Sequence, residues 1–237
     1  MMKYIKIALL VLFIGGLAMV SRGNEIPLID QNVPKHLDIA TFGMGCFWGS
    51  EASFGAIDGV YKTRVGYAGG TKENPTYYSL GDHTETVQIE YDPSIISYEE
   101  LLEIFWNNHS PYYQSYSKQY MSLVLYHSDF QKEVAENFIK QKQEESGNKA
   151  YTEIKPLDVF YFAEYYHQKY FLKQEWDFYR IYREIYDDEE IVDSTATARV
   201  NSYLRGKGSY DQLKLEIDKL GLTEETQEKL IRYYETL

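Results

Sequence analysis

A single cysteine, Cys46, stands in this chain of 237 residues. No internal disulfide can form, so any compact fold must be held by an apolar core. Hydrophobic residues make up 44% of the chain, enough for one core domain of ordinary size and an appendage. The formal net charge of −12 argues against a nucleic-acid partner, because phosphate binding needs clustered Lys and Arg.

The first residues differ from the rest. Lys3 and Lys6 precede an uncharged 14-residue run from Ile7 to Val20, and polar residues follow it. That is the pattern of a signal peptide, expected over residues 1–23. The run is shorter than the roughly 20 residues that cross a bilayer core, so no stable membrane insertion is expected after its removal, and an uncleaved anchor is the alternative. The expected location is the secretory pathway or the extracellular space. Cysteines in such compartments usually pair. The lone Cys46 is therefore either buried and inert or exposed for a chemical reason.

Hydrophobic periodicity places the elements. Leu37 to Met44 reads as a strand broken by Gly45, and a short helix from Cys46 ends near Gly55 or Gly59. Val60 to Tyr67 is a second strand, and Val87, Ile89 and Tyr91 alternate with polar residues in a third. Ser97 and Glu100 form a capping-box pair before a helix over Tyr98 to Asn107. Met121 to Tyr126 is a strand, Ser128 opens a helix ending at Gly147, and Glu153 to Phe160 is a last strand weakened by Pro156. This order predicts an α+β fold, a ferredoxin-like split β-α-β two-layer sandwich. The domain is expected over residues 24–186 and a helical C-terminal extension over 187–237, with a polar linker at Asp193 to Ala196 and helices at Tyr210 to Leu220 and Thr223 to Tyr234.

If the helix begins at Cys46, its unpaired amides and dipole favour thiolate over thiol. Phe47 and Trp48 beside it are either core residues or the walls of a small apolar pocket. His109 and His167 read as structural, since no metal spacing is visible and no metal is expected.

Gly45-Cys46-Phe47-Trp48-Gly49 resembles the active-site motif of the peptide methionine sulfoxide reductase A family. Further similar segments follow in order: Gly66 to Gly70, Asn74 to Tyr77, His83 to Val87, Phe105-Trp106 with His109, Gln119-Tyr120 with Ser122, and Ala163-Glu164 with Tyr166 to Gln168. The resemblance implies that Cys46 attacks the sulfoxide sulfur and that Glu85 protonates the oxygen. It further implies that Tyr77 and Tyr120 hydrogen-bond that oxygen while Phe47 and Trp48 hold the methyl group. The expected activity is reduction of methionine-(S)-sulfoxide, free or in proteins, through a Cys46 sulfenic acid, by a monomer without a bound cofactor.

The chain departs from the family pattern at three places. Pro111 to Lys118 is short and lacks the usual aspartate, Ser115 being its nearest counterpart, and Tyr165 replaces another aspartate. The tail holds no second cysteine to resolve a sulfenic acid, so regeneration needs an external thiol reductant, thioredoxin or a small-molecule thiol. Two alternatives stay open: a non-catalytic module binding oxidised methionine, and a cysteine acyl transferase or peptidase with a histidine base.

Overall fold

The structure, a computed structural model, describes residues 25–236. The expected signal peptide lies outside the described residues. Those residues form a six-stranded sheet in the order β5-β4-β1-β3-β2-β6. The strands are β1 (Asp38–Met44), β2 (Val60–Ala68), β3 (Thr84–Tyr91), β4 (Ser122–Tyr126), β5 (Glu153–Pro156) and β6 (Tyr161–Phe162). The central four, in the order β4-β1-β3-β2 and all antiparallel, have the ferredoxin-like arrangement expected from the element order. β5 adds to β4 in parallel, and β6 pairs with β2. The segment expected as one last strand is thus two. Pro156 can donate no ladder hydrogen bond and ends β5.

Helices α1 (Phe47–Gly55), α2 (Tyr98–Asn107) and α3 (Asp129–Ser146) supply Phe54, Phe105 and Phe138 to one core with Phe42, Val87 and Ile89 of the sheet. The alternation in β3 thus sends its apolar residues into this core, as the period of a half-buried strand requires. Local chemistry sets the helix ends. Ser97 accepts from the Glu100 amide while Glu100 returns the bond, Ser128 accepts from the Gln131 amide, and Gly147 closes α3 at φ 67°.

The chain continues through α4 (Tyr170–Gln174), α5 (Trp176–Arg183), α6 (Asp188–Asp193), α7 (Thr195–Tyr203), α8 (Tyr210–Glu216) and α9 (Glu224–Glu235). The segment expected as a polar linker is the end of α6 and the start of α7, and every residue of α7 is buried. Several of its polar side chains bond neighbouring backbone: Thr195 donates to the Tyr61 carbonyl, Arg199 to the Gly55 carbonyl, and Asn201 Oδ1 accepts from the Leu172 amide, its Nδ2 being buried without a hydrogen-bond partner among the described residues. Gly55 permits this approach, since a Cβ there would meet the Ala198 carbonyl oxygen at 2.5 Å. The last turn of α1, the helix that Cys46 caps, therefore packs directly on the tail.

A second tie lies beneath α1. Lys169, wholly buried, donates its ammonium to Glu51 Oε1 at 2.7 Å and to the Thr63 carbonyl at 2.6 Å. Its amide donates to Glu51 Oε2 at 2.9 Å, and Thr63 Oγ1 donates to Glu51 Oε1 at 3.2 Å. Removing one buried partner strands the other charge, whereas neutralising both does not. Lys169→Met is expected to lose about 3–5 kcal/mol of stability. Glu51→Gln/Lys169→Met, which keeps an oxygen for the residue-169 amide and presents an N–H that the Thr63 hydroxyl can accept, should recover a large part of that loss. Urea unfolding measures both, and equal midpoints for the single and double variants would refute the account.

Candidate active site

β1 delivers the chain to Gly45, whose φ of 95° turns it sharply into α1. Cys46 is the N-cap, in extended conformation, and its exposed thiol is free. Two opposing effects act on the thiol. Neighbouring protein atoms crowd one side of it and, with the charge of Glu85, push its pKa above the ordinary value. The Trp48 and Gly49 amides pull it down. The thiolate stabilisation expected of a helix end is present, but desolvation outweighs it, and the net direction is upward.

Glu85 stands opposite Tyr67 in the β2–β3 register. Only 1% of it is exposed, so it is not a solvated edge carboxylate. Its Oε2 accepts the Phe47 amide at 3.0 Å, the first orphan donor of α1, and its Oε1 accepts Gln119 Nε2 at 2.7 Å. Burial raises its pKa and these two bonds only partly oppose that, leaving the acid above its ordinary range. Gln119 lay within a motif, but its spacing carried no sign that its amide would face Glu85.

Tyr120 reaches the same place from the turn before β4. Its phenol is pushed up to about 12, first by burial and then by Glu85, Tyr77 and Cys46, all of which lie near it. Tyr77 is half-buried, its amide fixed by Glu164 Oε1 at 3.0 Å. Phe47, only 1% exposed, packs against Tyr67 and His167 as the wall behind the site. Trp48 lies nearer the surface, stacked on Tyr170 at 3.6 Å, with its indole N–H donating to His167 Nδ1 at 3.1 Å. The structure thus brings Cys46, Glu85, Tyr77, Tyr120, Phe47 and Trp48 together. His167, read from the sequence as structural, also sits here, its ring 4.6 Å from that of Tyr77.

The departures from the family pattern have local consequences. Ser115 donates to the Ser117 carbonyl, and the described partners of Glu85 are Phe47 and Gln119. Tyr165 bonds the Tyr179 hydroxyl at 3.1 Å, away from the thiol. Among the described residues no histidine hydrogen-bonds Cys46, so the acyl-transfer alternative finds no base. Among the same residues no group of three or more His, Cys, Asp or Glu side chains is placed to hold a metal ion.

Residues 38–199 match the family model described as peptide methionine sulfoxide reductase. The chain belongs to that family. It is 43% identical to the peptide methionine sulfoxide reductase of Drosophila melanogaster over 213 residues, 89% of this chain and 85% of the relative. It is also 43% identical over 148 residues to that of Sulfolobus acidocaldarius, covering 59% of this chain and 84% of the relative. Its fold is similar to the crystal structure of reduced Mxr1 from Saccharomyces cerevisiae, with a TM-score of 0.56 at 30% identity, covering 60% of this chain and 88% of that one. The chain is a thiol-dependent oxidoreductase acting on methionine sulfoxide.

The raised pKa of Glu85 has a stability consequence. Its contribution to stability is full below the unfolded carboxyl pKa and is lost as pH rises through the higher folded value. Glu85→Gln removes that titration. Its melting temperature should therefore gain on wild type as pH is raised from about 4 to about 8, and a difference independent of pH would exclude the buried acid.

Proposed function

We propose that Cys46 attacks the sulfur of methionine-(S)-sulfoxide while Glu85 supplies a proton to the sulfoxide oxygen. The observation that carries this reading is the meeting of an exposed N-cap thiol with a buried, two-fold hydrogen-bonded carboxyl, with the Tyr120 phenol beside both. A sulfoxide oxygen leaves poorly until it is protonated, and an acid raised by burial keeps its proton nearer neutral pH. Tyr77 and Tyr120 donate to that oxygen, and Trp48 with Phe47 behind it receives the S-methyl group.

The oxygen passes to Cys46, so that thiol and sulfoxide become sulfenic acid and methionine. One thiol then displaces water from the sulfenic acid to form a mixed disulfide, and a second thiol releases Cys46. Both come from outside the chain, as a protein dithiol of thioredoxin type or a small-molecule thiol, because Cys46 is the chain's one cysteine. The substrate is methionine-(S)-sulfoxide, free or in proteins. Lys3, Lys6 and the apolar run behind them support action in the secretory pathway or outside the cell.

A single-turnover assay of the reduced enzyme tests the chemistry. Wild type is expected to release one equivalent of methionine from the S epimer and none from the R epimer, and Cys46→Ser should release none. Glu85→Ala should slow the step by about 10²–10⁴-fold, while Glu85→Gln, whose amide still donates a hydrogen bond, should retain much more activity. Equal rates for wild type, Glu85→Gln and Glu85→Ala would eliminate Glu85 as the acid. Binding of the sulfoxide without product would instead favour a non-catalytic module.

A further inference from the structure

The aromatic groups at the site continue outward onto the surface. Tyr120, beside Cys46, is 40% exposed and close to Tyr77. The Tyr77 ring meets Tyr78 edge-on at 5.5 Å, and Tyr78 is 90% exposed. Tyr166, 52% exposed, lies against His167 at 4.1 Å and senses Tyr77, Tyr78 and Glu164. Tyr78 and Tyr166 are thus neighbours on a ledge continuous with the pocket, and the exposure of Tyr78 has no explanation in packing.

The charge on this ledge is negative. Glu164, between Tyr77 and Tyr166, accepts from Tyr67 Oη and the Tyr77 amide, and these bonds outweigh burial and hold its pKa below the ordinary carboxylate value. Among the described residues no Lys or Arg forms an ion pair with Glu164, its one such neighbour being His167 at 4.0 Å. Lys72 is close by, but its ammonium is held on Ser79, and Asp82, which takes the Thr71 and Lys72 amides, offsets it. A methionine sulfoxide seated at Cys46 within a polypeptide carries its two nearest residues on each side within roughly 7 Å along an extended chain. Those residues must cross whatever rims the pocket.

We infer that the Tyr78–Tyr166 ledge, backed by Glu164, is a subsite for a Lys or Arg side chain flanking methionine sulfoxide in a peptide substrate. The open phenol faces attract the cation and Glu164 adds charge complementarity. The inference rests on the reading of Cys46 and its pocket as the sulfoxide site, and it deepens that reading by naming the substrate's neighbourhood.

The test compares kcat/KM with dithiothreitol for matched pentapeptides carrying Lys, Ala, Phe or Glu beside methionine sulfoxide, and for N-acetyl-methionine sulfoxide amide. Wild type is expected to prefer the Lys peptide to the Ala peptide by roughly fivefold and to the Glu peptide by more. Tyr78→Ala should bring the Lys/Ala ratio toward one while leaving turnover of the acetylated amide unchanged. Tyr78→Phe should restore the preference, and Tyr78→Lys should reverse it toward the Glu peptide. A Lys/Ala ratio near one in wild type, a Phe peptide as good as the Lys peptide, or an unchanged ratio in Tyr78→Ala would overturn the subsite. Failure of wild type to turn over any sulfoxide would instead overturn the reading beneath it.

Discussion

The buried pair of Glu51 and Lys169 is the constraint on which the site's geometry depends. Cys46, Phe47 and Trp48 occupy the first turn of α1 and its cap, and a short helix does not hold its own direction against solvent. Glu51 anchors the middle of that helix to Thr63 in β2 and to Lys169 just before α4. Lys169 adopts a left-handed φ of 49°, a conformation that persists only where surrounding contacts enforce it. Its amide and ammonium both end on Glu51, so the pair fixes the backbone of the very segment that carries His167 and Tyr170 against Trp48. One ionic contact thereby aligns two elements distant in sequence whose side chains pack against each other beside Cys46.

Electrostatics at the other end of α1 link Glu85 to Cys46. A negative Glu85 raises the thiol, and it also occupies the Phe47 amide that would otherwise help stabilise a thiolate. When Glu85 holds a proton, that opposition disappears, while the Trp48 and Gly49 amides still favour the thiolate. A protonated Glu85 is therefore the state in which the sulfur ionises more readily. Burial remains the larger cause acting on the thiol, and the charge of Glu85 adds to it.

Much of this was legible in the sequence because it rests on local rules. Alternation in β3, the Ser97–Glu100 box and Gly147 fixed element type and ends, and the element order alone implied the β4-β1-β3-β2 core. The helix α7 was not legible. Thr195 fell in the segment expected as a polar linker, yet it is buried together with Thr197, Asn201 and Ser202, because small polar side chains let α7 approach Gly55 and satisfy backbone groups of neighbouring elements. Lys169 was hidden for a similar reason: a lysine is ordinarily solvated, and only tertiary proximity to Glu51 makes it a core residue. The residues of the site followed from motif order, but Gln119 as the partner of Glu85 depended on how the turn before β4 folds over β3.

The packing of the tail also bears on how the catalytic cycle closes. The strands and α1 do not bury α1 fully by themselves. α7 covers its last turn, and Leu213, Leu220, Leu222 and Leu230 close a second core over Ala56, Val200 and Tyr203. A tail spent in this way cannot also act as a mobile arm over Cys46, whatever residues it carried, since lifting it would expose that core to water. The opening at Cys46 is the complementary feature. Cys46 is exposed among half-exposed tyrosines, so on the proposed chemistry its oxidised form would meet incoming thiols at the same mouth through which oxidised methionine enters. On the proposed chemistry, substrate and reductant would use that site in turn, one leaving before the other binds.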